Sequence, residues 1–94
     1  MVAIRRRLLV ADDHAPFRAA ASAVLARAFD VVGEAADCRE ALLETERLAP
    51  DIVVMDVGLP DLNGVVLCAE LVRRRPRLKI LGRFGRVVFV GGWR

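Results

Sequence analysis

The sequence alternates short apolar runs with longer segments whose apolar residues recur every three or four positions. Apolar runs at 8–11, 31–35, 52–55 and 78–81 have the length of buried strands, although the second is weak. The segments between them, at 14–28, 37–48 and 63–75, have the period of amphipathic helices. Strands separated by helical crossovers form a parallel sheet. The pattern therefore predicts an α/β fold with helices on both faces of the sheet.

Signals at the ends of these segments support the helix assignments. Pro16 is tolerated only in the first turn of a helix, which places a helix start just before it. Asp37 and Glu40 have the spacing of a capping box at the start of the second helix. Pro50 and Pro76 end the second and third helices. In the first helix, Phe17 and Val24 belong to the apolar stripe that should face the sheet.

Composition narrows the class of protein. A chain of 94 residues with 55% hydrophobic and 29% charged residues fits one small folded domain rather than a disordered segment. The net charge is +3, and arginine runs occur at 5–7 and 73–75. Both runs flank apolar segments, where charges usually face water, and no aromatic residues interleave with them. We therefore expect no direct contact with nucleic acid.

Cysteine and histidine are too few for a zinc site. Cys38 and Cys68 form no CxxC pair, and His14 is the only histidine. Two separate cysteines fit a reducing cytoplasm, although the sequence leaves a disulfide open. The first apolar run is too short for a signal peptide or a membrane span. The expected location is therefore the cytoplasm, without membrane contact.

Three aspartates follow the ends of predicted strands. Asp12 and Asp13 come after the first strand and Asp56 after the third. If these strands are neighbours, the acids converge at the carboxyl edge of the sheet, where open parallel sheets bind ligands. Two unit charges about 4 Å apart repel by roughly 4 kcal/mol at an effective dielectric of 20, so a cation is needed. Hard oxygen ligands suit Mg²⁺. Alone, the Asp12–Asp13 pair would be explained by capping of the following helix.

Two segments resemble the response-regulator receiver domain. Residues 8–14 (LLVADDH) are similar to the family's first strand and acidic pair. Residues 51–64 (DIVVMDVGLPDLNG) are similar to its phosphoacceptor strand and the loop that follows, including Pro60 and Gly64. The resemblance covers roughly residues 7–81. It implies a flavodoxin-like fold, incomplete here, with about four strands and three helices of the family's five strands and five helices.

The resemblance also implies roles for individual residues. Asp56 would be the phosphoacceptor. Mg²⁺ would be bound by Asp12, Asp13, Asp56 and the backbone carbonyl of Gly58. His14, common beside the acids in one subgroup often joined to a helix-turn-helix output domain, is interpreted as structural. The phosphoryl group would come from a histidine kinase or a phosphotransfer protein.

The C-terminal part departs from the family pattern. The hydroxyl residue expected after the fourth strand is replaced by Phe84, and no Ser or Thr follows Thr45. Lys79 is the only lysine and lies at the wrong end of its strand. We therefore divide the chain into a partial receiver-like domain, 1–81, and an atypical tail, 82–94. The tail is interpreted as a truncated or frame-altered sequence, or as a native strand or hairpin near 87–90.

Two candidate functions follow from these features of the sequence. The first is a phosphoacceptor receiver of a two-component phosphorelay, which catalyses at most its own phosphorylation and dephosphorylation and is not otherwise an enzyme. The alternative is a degenerate receiver fragment that binds a partner protein without productive switching. An aspartate-nucleophile phosphatase would need a second aspartate where this chain has Gly58.

Without a fifth parallel strand, the fourth strand is expected to be an exposed edge through which the chain self-associates.

Overall fold

The structure is a computed structural model that describes residues 5–56, 64–84 and 87–91. These ranges contain five strands and three helices in the following order along the chain: β1 Arg7–Ala11, α1 Ala15–Leu25, β2 Asp30–Ala35, α2 Cys38–Leu48, β3 Ile52–Asp56, α3 Gly64–Arg74, β4 Lys79–Phe84 and β5 Val87–Gly91. The first seven elements confirm the predicted alternation of strand and helix.

The strands form one sheet in the order β2-β1-β3-β4-β5. Strands β1 to β4 are parallel, and β1 and β3 are neighbours with Ala11 opposite Met55. This confirms the flavodoxin-like fold with four parallel strands and three helices. Strand order reverses at β1, because β2 lies on one side of it and β3 on the other. With right-handed crossovers, α1 therefore lies on one face of the sheet, and α2 and α3 lie on the other.

The fifth strand corrects one expectation. Strand β5 pairs antiparallel with β4, with Phe84 opposite Val87 and Ile80 opposite Gly91. The prediction that β4 is an exposed edge available for self-association is therefore wrong, because β5 occupies its hydrogen-bonding side. The domain boundary that we placed between residues 81 and 82 falls inside β4.

The hydrophobic core lies on one face of the sheet. Side chains alternate across a strand, so Leu9, Val53 and Ile80 face the same side and pack with Leu67 and Leu71 of α3. All five side chains are at most 1% exposed. Helix α2 contributes Cys38 and Ala41 to the same cluster. The sheet, α2 and α3 therefore enclose the core.

Helix α1 differs from the other helices. None of its eleven residues, all of which the structure describes, is buried. The predicted apolar stripe is wrong for Phe17 and Val24, which are 49% and 63% exposed. The half-buried positions are Arg18, Ala21, Ser22 and Leu25. The physical reason is that α1 contacts β1 and β2 at one side of the sheet, so the flank of the helix that faces β3 is left uncovered.

The helix caps agree with the sequence signals. The carboxylate of Asp37 accepts a hydrogen bond of 2.7 Å from the backbone N–H of Glu40, as the capping-box spacing predicted. Helix α2 ends at Ala49, whose positive φ of 47° is the left-handed conformation common at helix ends. Among the described residues, none of the helices has the length and apolarity needed to cross a membrane.

Candidate functional site

The carboxyl edge of the sheet holds the three aspartates predicted to converge. Asp56 is the last residue of β3, and Asp12 follows the last residue of β1. Because Ala11 of β1 lies opposite Met55 of β3, Asp12 and Asp56 come at the same level of neighbouring strands. Each offers a carboxylate oxygen, as does Asp13, and these oxygens all lie within 4.8 Å of one another.

The three carboxylates differ in their access to solvent. Asp12 is 5% exposed, Asp56 is half-buried and Asp13 is exposed. The cluster is therefore accessible to solvent at Asp13 and buried at Asp12. Gly58, whose carbonyl was predicted as a further ligand, lies outside the described residues.

Asp12 is held in place by three hydrogen bonds. Its carboxylate accepts a bond of 2.8 Å from the backbone N–H of His14. Its own N–H donates to the carbonyl of Ala35, at the end of β2, over 2.9 Å. Its carbonyl accepts a bond of 2.7 Å from the guanidinium of Arg18. These bonds fix the backbone at the point where β1 turns into α1, and they orient one of the acidic side chains.

His14 has the structural role that its position suggested. It is the N-cap of α1, and its Nδ1 accepts a hydrogen bond of 3.3 Å from the N–H of Phe17. His14 thereby starts the helix directly after the acidic cluster.

Arg18 also fixes the geometry around the acidic cluster, and the sequence analysis did not identify it. In addition to its bond to Asp12, its Nε donates to the carboxylate of Glu34 on β2 over 3.1 Å. It therefore ties α1 to the ends of both β1 and β2. The available signal was that Arg18 is the only charged residue within α1. An isolated arginine on an apolar helix is expected to have a specific partner.

The residues present fit a divalent cation. Two carboxylate charges 4.8 Å apart repel by about 3.5 kcal/mol at an effective dielectric of about 20, and the cluster contains three such pairs. A cation among the oxygens would convert this repulsion into attraction. The donors are all carboxylates, which are ligands for Mg²⁺ or Ca²⁺ rather than for zinc or copper. The acidic cluster can therefore hold a metal.

Comparison with known proteins identifies relatives over most of the chain. The family model of the response regulator receiver domain matches residues 8–82. The chemotaxis protein CheY of Thermotoga maritima is 36% identical over 77 residues, which cover 81% of this chain and 64% of that protein. The DNA-binding transcriptional activator DevR/DosR of Mycobacterium tuberculosis is 39% identical over 77 residues, which cover 80% of this chain and 36% of that protein.

A similar structure is the crystal structure of a two-component response regulator of the LuxR family from Aurantimonas sp. SI85-9A1. It superposes with a TM-score of 0.78 at 32% identity, over 84% of this chain and 58% of the other. This chain thus spans less than two thirds of the length of each of these three proteins.

Proposed function

The chain belongs to the response-regulator receiver domain family, and on that premise we propose that it accepts a phosphoryl group on Asp56. The observation that carries the proposal is the approach of the Asp12, Asp13 and Asp56 carboxylates to within 4.8 Å at the carboxyl ends of adjacent strands. The donor is a phosphohistidine on a histidine kinase or a phosphotransfer protein, and the reaction takes place in the cytoplasm. Beyond its own phosphorylation and dephosphorylation, the domain catalyses no reaction.

The chemistry uses Asp56 as the nucleophile. One oxygen of its carboxylate attacks phosphorus in line, an oxygen–phosphorus bond forms, and the phosphorus–nitrogen bond of the donor breaks with its electron pair left on the imidazole nitrogen. Asp12 and Asp13, together with Asp56, would hold Mg²⁺. The bound ion would neutralise charge on the phosphoryl oxygens. Since the product is an acyl phosphate, it is short-lived and suits a reversible signal.

Burial supports Asp56 as the acceptor among the three acids. The carboxylate of Asp12 is almost completely buried and already accepts the N–H of His14, so it is positioned for binding rather than for attack. Asp13 is exposed and lies outside the strand. Asp56 is half-buried at the end of β3, where a rigid strand fixes its approach to the phosphorus atom.

A second candidate function is a receiver that binds its partner without productive switching. Its support is the position of Lys79, the only lysine. Lys79 is the first residue of β4 and lies opposite Ile52, the first residue of β3. Asp56 is the last residue of β3 and lies opposite Arg83, toward the other end of β4. Because Lys79 and Asp56 lie at opposite ends of the two paired strands, the ammonium group of Lys79 cannot pair with a phosphoryl group on Asp56. A ligand shifts a conformational equilibrium only by its differential affinity for the two states, so loss of this contact weakens the switch.

Phosphorylation is tested with a small phosphodonor. Incubation of the purified chain with acetyl phosphate and Mg²⁺ should add one base-labile phosphoryl group, measured by intact-protein mass spectrometry. Asp56→Asn should abolish the mass increase. Asp30→Asn, which removes an exposed aspartate at the start of β2, should leave the increase unchanged. Uptake of the label by Asp56→Asn at the unaltered rate would show that another residue is the acceptor.

A further inference from the structure

Arg83 is a charged residue within the sheet rather than at its edge. It belongs to β4, which pairs with β3 on one side and with β5 on the other. In these two registers Arg83 lies opposite Asp56 and opposite Val88. Opposite charges that face each other across neighbouring strands stabilise a sheet, and Asp56 is the acidic one of the two neighbours.

The alternation of side chains assigns Arg83 and Asp56 to the same face of the sheet. Val54 lies opposite Leu81 in the same register, and residues two positions apart in a strand share a face. Val54, Leu81 and Asp56 line a cavity of about 220 Å³ beside α1, so this is the face opposite the core. Neighbouring strands are about 4.8 Å apart, which is shorter than an extended arginine side chain.

Two other cations of this region have different positions. Lys79 is the first residue of β4 and lies at the other end of the strand. The guanidinium of Arg18 donates to the carbonyl of Asp12 and to the carboxylate of Glu34. Of these three cations, Arg83 is therefore the one that the strand register brings level with the acidic cluster.

We propose that Arg83 is the cation that senses the charge on Asp56, and that it binds the phosphoryl group once Asp56 carries one. The second part rests on the function proposed above for Asp56. A guanidinium donates two parallel N–H bonds to the oxygens of a phosphoryl group, whereas an ammonium acts as a point charge. An arginine at this position thus suits the modified aspartate as well as the free carboxylate.

The net charge of the acidic cluster sets the direction of each effect. Without a metal, the three carboxylates carry three negative charges, which attract Arg83. With Mg²⁺ bound, most of this charge is neutralised, so a neighbouring arginine opposes metal binding. Phosphorylation replaces the single charge of the Asp56 carboxylate by about two negative charges, which strengthens the attraction again. Because the attraction differs between the two states of Asp56, Arg83 can bias the conformation of β4.

The Mg²⁺ affinity of the unphosphorylated chain tests the first part. Arg83→Gln should bind Mg²⁺ about three- to tenfold more tightly at low salt, measured by NMR titration, because a positive charge beside the ion is removed. The gain should shrink at high salt, which screens the repulsion. The matched control is Arg77→Gln, which makes the same change of charge at an exposed position before the start of β4 and should alter the affinity by less than about twofold. Circular dichroism verifies that each variant is folded.

A metal-free measurement tests the same contact without any ligand. In EDTA, Arg83→Gln should lower the urea midpoint of the wild type, since the carboxylates lose a neighbouring cation. In an Asp56→Asn background the same substitution should lower the midpoint less, and the difference measures the coupling between the two residues. Arg77→Gln should shift both backgrounds equally. Equal shifts by Arg83→Gln in both backgrounds would overturn the proposal, and so would an Mg²⁺ affinity that rises no more than in Arg77→Gln.

Beryllofluoride, a mimic of the phosphoryl group, tests the second part at saturating Mg²⁺. Arg83→Gln should weaken its binding at least about tenfold, the loss expected for hydrogen bonds to a charged group. Arg83→Lys keeps the charge but not the planar fork, so it should retain the Mg²⁺ affinity of the wild type and recover only part of the beryllofluoride affinity. Unaltered beryllofluoride binding in Arg83→Gln would refute the phosphoryl contact. A wild type that binds Mg²⁺ but takes up neither beryllofluoride nor a phosphoryl group from acetyl phosphate would refute the function proposed for Asp56 and the phosphoryl contact together, whereas the coupling in EDTA decides the contact of Arg83 with Asp56 separately.

Discussion

Removal of one charge from the acidic cluster should stabilise the protein when no divalent cation is present. The substitution is Asp13→Asn, which keeps the shape of an exposed side chain and removes two of the three repulsive pairs. At 4.8 Å each pair repels by about 3.5 kcal/mol at an effective dielectric of about 20, and by about 0.9 kcal/mol in bulk water. Because Asp13 is exposed, the lower value is the better guide, and the expected gain is about 1–2 kcal/mol.

The assay is thermal unfolding at low salt in the presence of EDTA and then of Mg²⁺. For a domain of this size, the expected gain raises the Tm in EDTA by about 4–16 °C. Added Mg²⁺ should stabilise the wild type more than the variant, since the variant has lost one ligand. Asp30→Asn is the control for the change in net charge. Asp30 is the first residue of β2 and lies at the end of the sheet opposite the acidic cluster. A lower Tm for Asp13→Asn in EDTA, or an equal rise for Asp30→Asn, would refute the reasoning.

Two further predictions concern the core and the surface ion pairs. Leu67→Ala removes a side chain that is 0% exposed and should lower the free energy of unfolding, measured by urea denaturation, by about 2–5 kcal/mol. Leu43→Ala, at a 60% exposed position, should change the free energy of unfolding by less than about 0.5 kcal/mol. Hydrogen bonds from Arg73 and Arg74 lower the pKa of Glu70 from 4.5 to about 2, so the stability contributed by its ionised form is complete above pH 4.5 and is lost as the pH falls toward 2. The free energy of unfolding should fall less steeply with decreasing pH in Glu70→Gln than in the wild type. An unaltered slope would show that the ion pairs of Glu70 with Arg73 and Arg74 contribute nothing to stability.

Much of the fold follows from local patterns in the sequence. Short apolar runs and three-to-four-residue periods predicted seven of the elements, because burial of one face imposes these periods on any strand or helix. The acidic cluster was also predictable. An aspartate at the end of a buried parallel strand lies at the carboxyl edge of the sheet, and adjacency of β1 and β3 then brings Asp12 and Asp56 together. Asp37 was recognised as a helix cap because capping depends on neighbours within one turn.

The tertiary structure alone decided the direction of β5 and the environment of α1. Whether β5 pairs with β4 in parallel or antiparallel fashion depends on a partner strand and on the length of the connection, and a run such as 87–90 fits either. The apolar period of α1 predicted a buried stripe, yet Val24 is 63% exposed, because periodicity identifies an apolar face but does not supply the surface that covers it. Arg18 was missed for the same reason, since its partners on Asp12 and Glu34 come from separate strands. Sequence thus determined the elements and the chemistry of the strand ends, and the packing of distant segments determined which surfaces remain open.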